Sequence, residues 1–316
     1  MPENEFLQKI LIAVDGSESS AAAQELTVHI AKKFNSHVTV MHVVSHQLMN
    51  PGIQDLTLGG ADVGIPSAGI TRGDYTIPTQ MPKQPSTSAP TKMISEITSV
   101  YREMGEQIVR NAVALFKEED VSVDEELLED NNPSQSVTKK AEMETYDLIV
   151  TGRSSADEEK KPHLGSFASK VARNAKVPVL VGASEGVLRK MLVALDGSEV
   201  SKRVAEHAAK IALKFGTEVT LLHVHEPSLF RMKPELCEEF AKKVFSSVAG
   251  QFEGVKPEER CETGHPGKVI THVAEAENYD IIVLGSHGHN GVKRLLLGSV
   301  TDQVLHYANQ AVLIVK

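Results

Sequence analysis

Apolar residues along this chain fall into short unbroken runs, separated by stretches in which they recur every three or four positions. ILIAV at 10–14, VTVMHV at 38–43, DLIVTG at 147–152 and VPVLVG at 177–182 are continuous instead of alternating. Such runs predict parallel strands covered on both faces. Between runs the period is helical. Across 200–215, Val204, Ala208, Ile211, Ala212 and Phe215 share one side, and 267–276 repeats the pattern. The order β-α-β-α-β-α-β-α-β, read twice, predicts two tandem doubly wound domains, each with a five-stranded parallel sheet and right-handed crossovers. Ligands of such sheets bind at the carboxyl ends of the strands, near the switch in strand order.

The two readings are copies of one another. KILIAVDGS at 9–17 returns as KMLVALDGS at 190–198, and VTVMHV at 38–43 as VTLLHV at 219–224, both 181 residues on. YDLIVTG at 146–152 matches YDIIVLG at 279–285 only 133 residues on, so the first copy holds 48 extra residues. They fall between His42-Val43 and a helical pattern that starts near Met93. The stretch at about 46–92 is rich in Gly, Pro, Ser and Thr and reads as a long irregular insertion, either a mobile segment or a partner-binding lid. The expected domains are 1–185, with this insertion, and 186–316.

Composition narrows the class without naming a function. The chain has 316 residues, 41% hydrophobic and 24% charged, with no apolar run near the roughly 18 residues of a membrane span. The start MPENEFLQK lacks the basic and then apolar regions of a signal peptide, so the expected compartment is the cytoplasm. A net charge of -9 argues against a nucleic-acid surface, which needs clustered Lys and Arg. Cys237 and Cys261 have no counterparts in the first copy and read as free packing residues.

The chemistry gathers late in the second copy. A strand ending at Gly285 is followed by Ser286-His287, Gly288, the nine residues HNGVKRLLL, and Gly298-Ser299 opening a helix. Glycines let backbone N–H groups approach an anion, and a helix N-terminus offers unpaired N–H groups and a favourable dipole. Ser299 adds a hydroxyl, and Lys293 or Arg294 a screening charge. The segment reads as a phosphate cradle.

Gly285-x2-Gly288-x9-Gly298-Ser299, the VALDGS opening and the ending LLLGSVTDQVLHYANQAVLIVK resemble the universal stress proteins over nearly the whole chain, the insertion excepted. The resemblance implies a Rossmann-like, adenine-nucleotide α-hydrolase-like fold that binds ATP, with ADP and AMP as alternatives, together with Mg²⁺. It implies contacts to the base and ribose from Leu195, Asp196 and Val224. Leu284 and Gly285 would lie under the sugar and phosphates, with Gly288, His289, Gly298, Ser299 and Val300 around the phosphates. It also implies that each copy's last strand pairs with a counterpart, making the two copies an intrachain pseudo-dimer; a homodimer of chains is left open. Such pairing would cover two exposed apolar edges.

The first copy departs from the pattern. Asp15, Val43, Gly152, Gly165 and Ser166 are in place, but Ser155 stands where Gly288 does. If that position needs left-handed geometry, a non-glycine residue there costs roughly 1–2 kcal/mol. Asp157, Glu158 and Glu159 replace Asn290, Gly291 and Val292 and would repel phosphate. The first site is expected to be weak or silent.

Simpler roles stand beside these. Asp15 and Asp196 also suit a turn at a helix entry. His223-x-His225 and His287-x-His289 lack the carboxylate or cysteine that would complete a metal shell, so no metal site is expected. His42 matches His223 in the repeat, which points to a shared packing or hydrogen-bonding role. The acidic run 118–130 reads as a helix end and a half-exposed strand. Three functions are weighed: a nucleotide-responsive regulator with an unidentified protein partner and slow or no hydrolysis, a partner-binding protein that needs no nucleotide, and an enzyme of the wider adenine-nucleotide group. The chain lacks GxxxxGK[ST] as well as HIGH-type and SGGxDS-type motifs, which disfavours the third.

Overall fold

A computed structural model describes residues 6–45, 91–153, 164–182, 187–226, 234–288 and 297–316. The insertion read at 46–92 lies outside these residues, save that a helix begins at Thr91. The first half runs β1 (Lys9–Ala13), α1 (Glu18–Phe34), β2 (His37–Val44), α2 (Thr91–Glu118), β3 (Val123–Glu129), α3 (Pro133–Met143), β4 (Leu148–Gly152), α4 (Ser166–Asn174) and β5 (Val179–Gly182). The second runs β6 (Lys190–Ala194), α5 (Glu199–Phe215), β7 (Glu218–His225), α6 (Pro234–Val248), β8 (Glu258–Thr263), α7 (Pro266–Ala276), β9 (Ile281–Gly285), α8 (Ser299–Tyr307) and β10 (Ala311–Val315).

The ten strands of the described residues form one sheet in the order β3-β2-β1-β4-β5-β10-β9-β6-β7-β8. Each half is parallel throughout, as the unbroken apolar runs require, and the halves meet antiparallel through β5 and β10. Residues alternate between the faces. Ile10 and Ile12 join a core under α1, α2, α5 and α6, whereas Leu11 and Ala13 join one under α3, α4, α7 and α8. Val204, Ala208, Ile211 and Ala212 of α5 are buried as its period predicts, and Phe215 packs against the same core.

The seam is symmetric to the residue. Val312, Leu313 and Ile314 pair with Val181, Leu180 and Val179, so the pairing centres on Leu313 and Leu180, which are equivalent positions of the repeat. Other equivalent residues also meet there: Phe34 and Phe215 lie with ring centroids 6.5 Å apart. A small apolar cavity on this axis is lined by the pairs Leu7 and Leu188, Ile30 and Ile211, and Leu180 and Leu313. His207 breaks the symmetry, for its counterpart is Leu26. Its ring packs edge-on to Phe6 at 5.1 Å, and burial holds its imidazole below the ordinary pKa.

The outer edges are acidic. β3, with the sequence VDEELLE, and β8, with EERCET, place carboxylates where an open edge would otherwise recruit another strand. The acidic run ends α2 at Glu118 and forms the half-exposed β3, as the sequence predicts.

Candidate functional site

The switch in strand order within the second half lies between β6 and β9, which are neighbours in the sheet. Their carboxyl ends bring together most of the residues expected there. β6 is followed by Asp196 and by Gly197 at φ +83°, a left-handed turn open to glycine that leads into α5. The turn is fixed on both sides. His223 Nδ1–H donates to the Leu195 carbonyl at 2.8 Å, and Asp196 Oδ1 accepts from Ser198 N–H and Ser201 Oγ–H, each at 2.9 Å. Leu195 and Leu284 bury their side chains in opposite core layers, so only their backbones face the crevice. Val224, two residues beyond the last β6–β7 pair, stands at the carboxyl end of the neighbouring strand.

Opposite Asp196 lies the glycine segment. Gly288 does not take the left-handed conformation. The left-handed condition is not met, and the demand at 288 is for space, since a Cβ there would lie 2.6 Å from Asp196 Oδ2. One oxygen of Asp196 therefore holds the turn while the other faces the glycine backbone. Gly285 has a related role, for a Cβ there would come 2.8 Å from Val200 of α5.

Gly298 closes the cradle. Its N–H donates to the Ser286 carbonyl at 2.8 Å, and Thr301 Oγ–H donates to the Gly285 carbonyl at 2.7 Å, tying the start of α8 to the end of β9. Gly298 is the N-cap and supplies no capping side chain, and Ser299 is exposed. The N-terminus of α8 is thus offered to an incoming group. Val300 packs inward against the core. Two buried atoms in this region, Ser198 Oγ and His287 Nε2, have no hydrogen-bond partner among the described residues. His289, Lys293 and Arg294 lie outside the described residues.

In the first half the same parts are arranged differently. Asp15 is exposed, and its Oδ1 accepts from both Ser17 N–H (3.0 Å) and Ser17 Oγ–H (2.6 Å). Ser17 Oγ also caps α1 by accepting from Ser20 N–H at 3.2 Å. This turn is satisfied internally, as the simpler reading of Asp-Gly-Ser expects. Gly165 is the N-cap of α4, with Ser166 exposed, and Val43 packs against the core. Gly152 serves packing, because a Cβ there would lie 2.7 Å from the Ser19 carbonyl and Ser20 nitrogen. Ser155 and the acidic residues 157–159 lie outside the described residues.

His42 fulfils the shared role expected of it. Its Nδ1–H donates to the Val14 carbonyl at 2.6 Å, the counterpart of the His223 bond to Leu195. Of the cysteines, Cys237 is buried as expected, whereas Cys261 is exposed on edge strand β8. Partial burial, with Cys237 and the nearby Glu238 and Glu262, pushes the Cys261 thiol up. Among the described residues no group of three or more His, Cys, Asp or Glu side chains is placed to hold a metal ion. No described helix is long and apolar enough to cross a membrane. Sequence reasoning missed Ser198, Ser201, Ser286 and Thr301. A signal existed for Thr301, whose counterpart Ala168 has no hydroxyl.

A model of the universal stress protein family matches residues 7–61, 74–182 and 188–316. The chain is 34% identical over 148 residues to a universal stress protein of Methanocaldococcus jannaschii, spanning 43% of this chain and 87% of that protein. It is 29% identical over 231 residues to a universal stress protein of Mycobacterium tuberculosis, spanning 67% of this chain and 77% of that one. The solved structure of a universal stress protein from Archaeoglobus fulgidus shares its fold, with a TM-score of 0.67 at 20% identity over 98% of both chains.

Proposed function

The chain belongs to the universal stress protein family, and on that footing we propose that it is an ATP-binding, nucleotide-responsive regulatory module whose second half holds the nucleotide. The observation that carries the reading is the close approach of Gly288 to Asp196, beside the uncapped N-terminus of α8. The orphaned Ser198 Oγ and His287 Nε2 fit a bound polar ligand in the same crevice. Phosphate would sit on the N–H groups that open α8, with the Ser299 hydroxyl beside them. Asp196, Val224 and the backbones of Leu195 and Leu284 would face the base and sugar, and His289 would join Gly288, Gly298, Ser299 and Val300 around the phosphates. ADP or AMP would use the same contacts.

Mg²⁺ would arrive with the nucleotide and supply charge neutralisation, with Asp196 as a protein oxygen close by and the remaining ligands from phosphate and water. Turnover is expected to be slow. The chain lacks the GxxxxGK[ST] lysine arrangement of P-loop NTPases, and His287, whose Nδ1 is hydrogen-bonded to Ser286 Oγ at 3.0 Å, is the nearest described candidate for a base. The first half would bind weakly or not at all. Occupancy of the second half would bias the surface offered to a protein partner in a cytoplasmic stress response.

Titration calorimetry of ATP with Mg²⁺ into nucleotide-stripped protein tests this. One equivalent of heat per chain, lost in Gly288→Val, is expected, together with hydrolysis slower than about 1 per second. A folded wild-type chain that gives no heat would remove the nucleotide and leave a protein that binds its partner without one.

A further inference from the structure

The residue that follows the glycine of the fourth strand separates the halves. In the second half it is Ser286, which stays at home: its carbonyl accepts the Gly298 N–H and its hydroxyl pairs with His287. In the first half it is Arg153, which leaves. Its side chain is buried, crosses the seam, and donates from Nη1 to the Leu305 carbonyl and from Nη2 to the Gln310 carbonyl at 3.3 Å. Leu305 belongs to the last turn of α8, the helix whose first turn closes the candidate cradle. Both of these partners of the cation are carbonyls, and burial pushes its pKa down to about 10. A helix C-terminus suits it, because unpaired carbonyls and the dipole place negative charge there.

Two further side-chain hydrogen bonds cross the seam among the described residues. Lys316 Nζ–H donates to the Ala172 carbonyl, in the last turn of α4. Ala172 and Leu305 are equivalent positions of the repeat, 133 residues apart, yet Lys316 and Arg153 are not. Arg173 of α4 donates to Asp302 Oδ1 at 2.5 Å, in the first turn of α8. Helix α8 is therefore held at both ends by arginines of the first half. Asp302, a carboxylate in the first turn of the same helix, is paired by this contact.

We infer that Arg153, assisted by Arg173, is a positioning residue for the second half's nucleotide cradle: the first half orients α8 across the seam and so sets affinity at a site neither arginine touches. This rests on the nucleotide reading above. By linkage the effect is reciprocal, so nucleotide in the cradle also tightens the seam.

The test uses the full-length chain and ATP with Mg²⁺. Arg153→Met is expected to weaken ATP binding at least tenfold, with Arg153→Lys recovering part of the loss. In the wild type, ATP is expected to slow amide exchange in β5 and β10, and Arg153→Met to abolish that slowing. A change confined to packing would lower the melting temperature without removing the nucleotide-dependent protection. Should Arg153→Met not fold, Arg173→Ala, at a half-exposed position, is expected to weaken ATP binding two- to threefold. Wild-type affinity in folded Arg153→Met, or in Arg173→Ala where only that variant folds, overturns the inference, as does seam exchange in the wild type that ATP does not alter. Absence of ATP binding to the wild type would instead overturn the nucleotide reading, and the inference with it.

Discussion

One carboxylate, Asp196, joins the turn after β6 to the glycine segment after β9, and its two oxygens have separable roles. Asp196→Asn keeps an acceptor for Ser198 N–H and Ser201 Oγ–H, so stability should stay within about 0.5 kcal/mol of the wild type. The lost charge should show as a weaker Mg²⁺ dependence of ATP binding in calorimetry. An equal Mg²⁺ dependence in both proteins would return Asp196 to the turn role alone. Lys316 gives a prediction of a different kind. Burial pushes its pKa from 10.5 down to about 8, so the fold resists its protonation. Between about pH 8 and 10.5 the unfolded chain holds more protons than the folded one, and this contribution to stability rises with pH. Its upper bound is about 3 kcal/mol. Urea unfolding at pH 7.5 and pH 10 should show the wild type improving relative to Lys316→Met. At this scale the sequence was legible where a residue type has one use, as with Gly197 in its turn. It was silent on Arg153, whose partners lie more than 150 residues away, and on which hydroxyl each aspartate would select.

The strands and helices were far easier to read. Continuous apolar runs became buried parallel strands, and the boundaries moved by one or two residues where tertiary pairing decided them. For example, the run at 177–182 contributes β5 only from Val179. What periodicity could not show is how widely a helix is covered. Ser201, Ala205 and Ala209 of α5 are buried beside the apolar stripe, because the helix lies on the sheet with its flank against β9 and β10. The short pairing of β5 with β10 makes an element-level prediction. Leu180 and Leu313 are 1% and 3% exposed and line one cavity, so each change to alanine should cost about 2–5 kcal/mol. The double variant should cost less than the sum, since both leave the same void. Strict additivity in chemical denaturation would mean that the two side chains do not share their surroundings.

At the scale of the molecule, ten strands form a single sheet whose inner ends are joined and whose outer ends carry carboxylates. Glu258 and Glu259 are exposed on β8, and replacing both with valine should turn that edge into a site of association. Light scattering at increasing protein concentration would register it; a variant that stays at the wild-type mass would show that the carboxylates are not what keeps the edge apart. The seam has a further consequence through Arg153. In an assembly of two identical chains, any substitution near the two-fold axis appears on both sides of it, so a buried cation would always meet its own copy nearby. Here both sides of the axis are encoded separately. A single arginine can be placed on one side and a serine on the other, and the two crevices at the carboxyl ends of the strands are free to diverge.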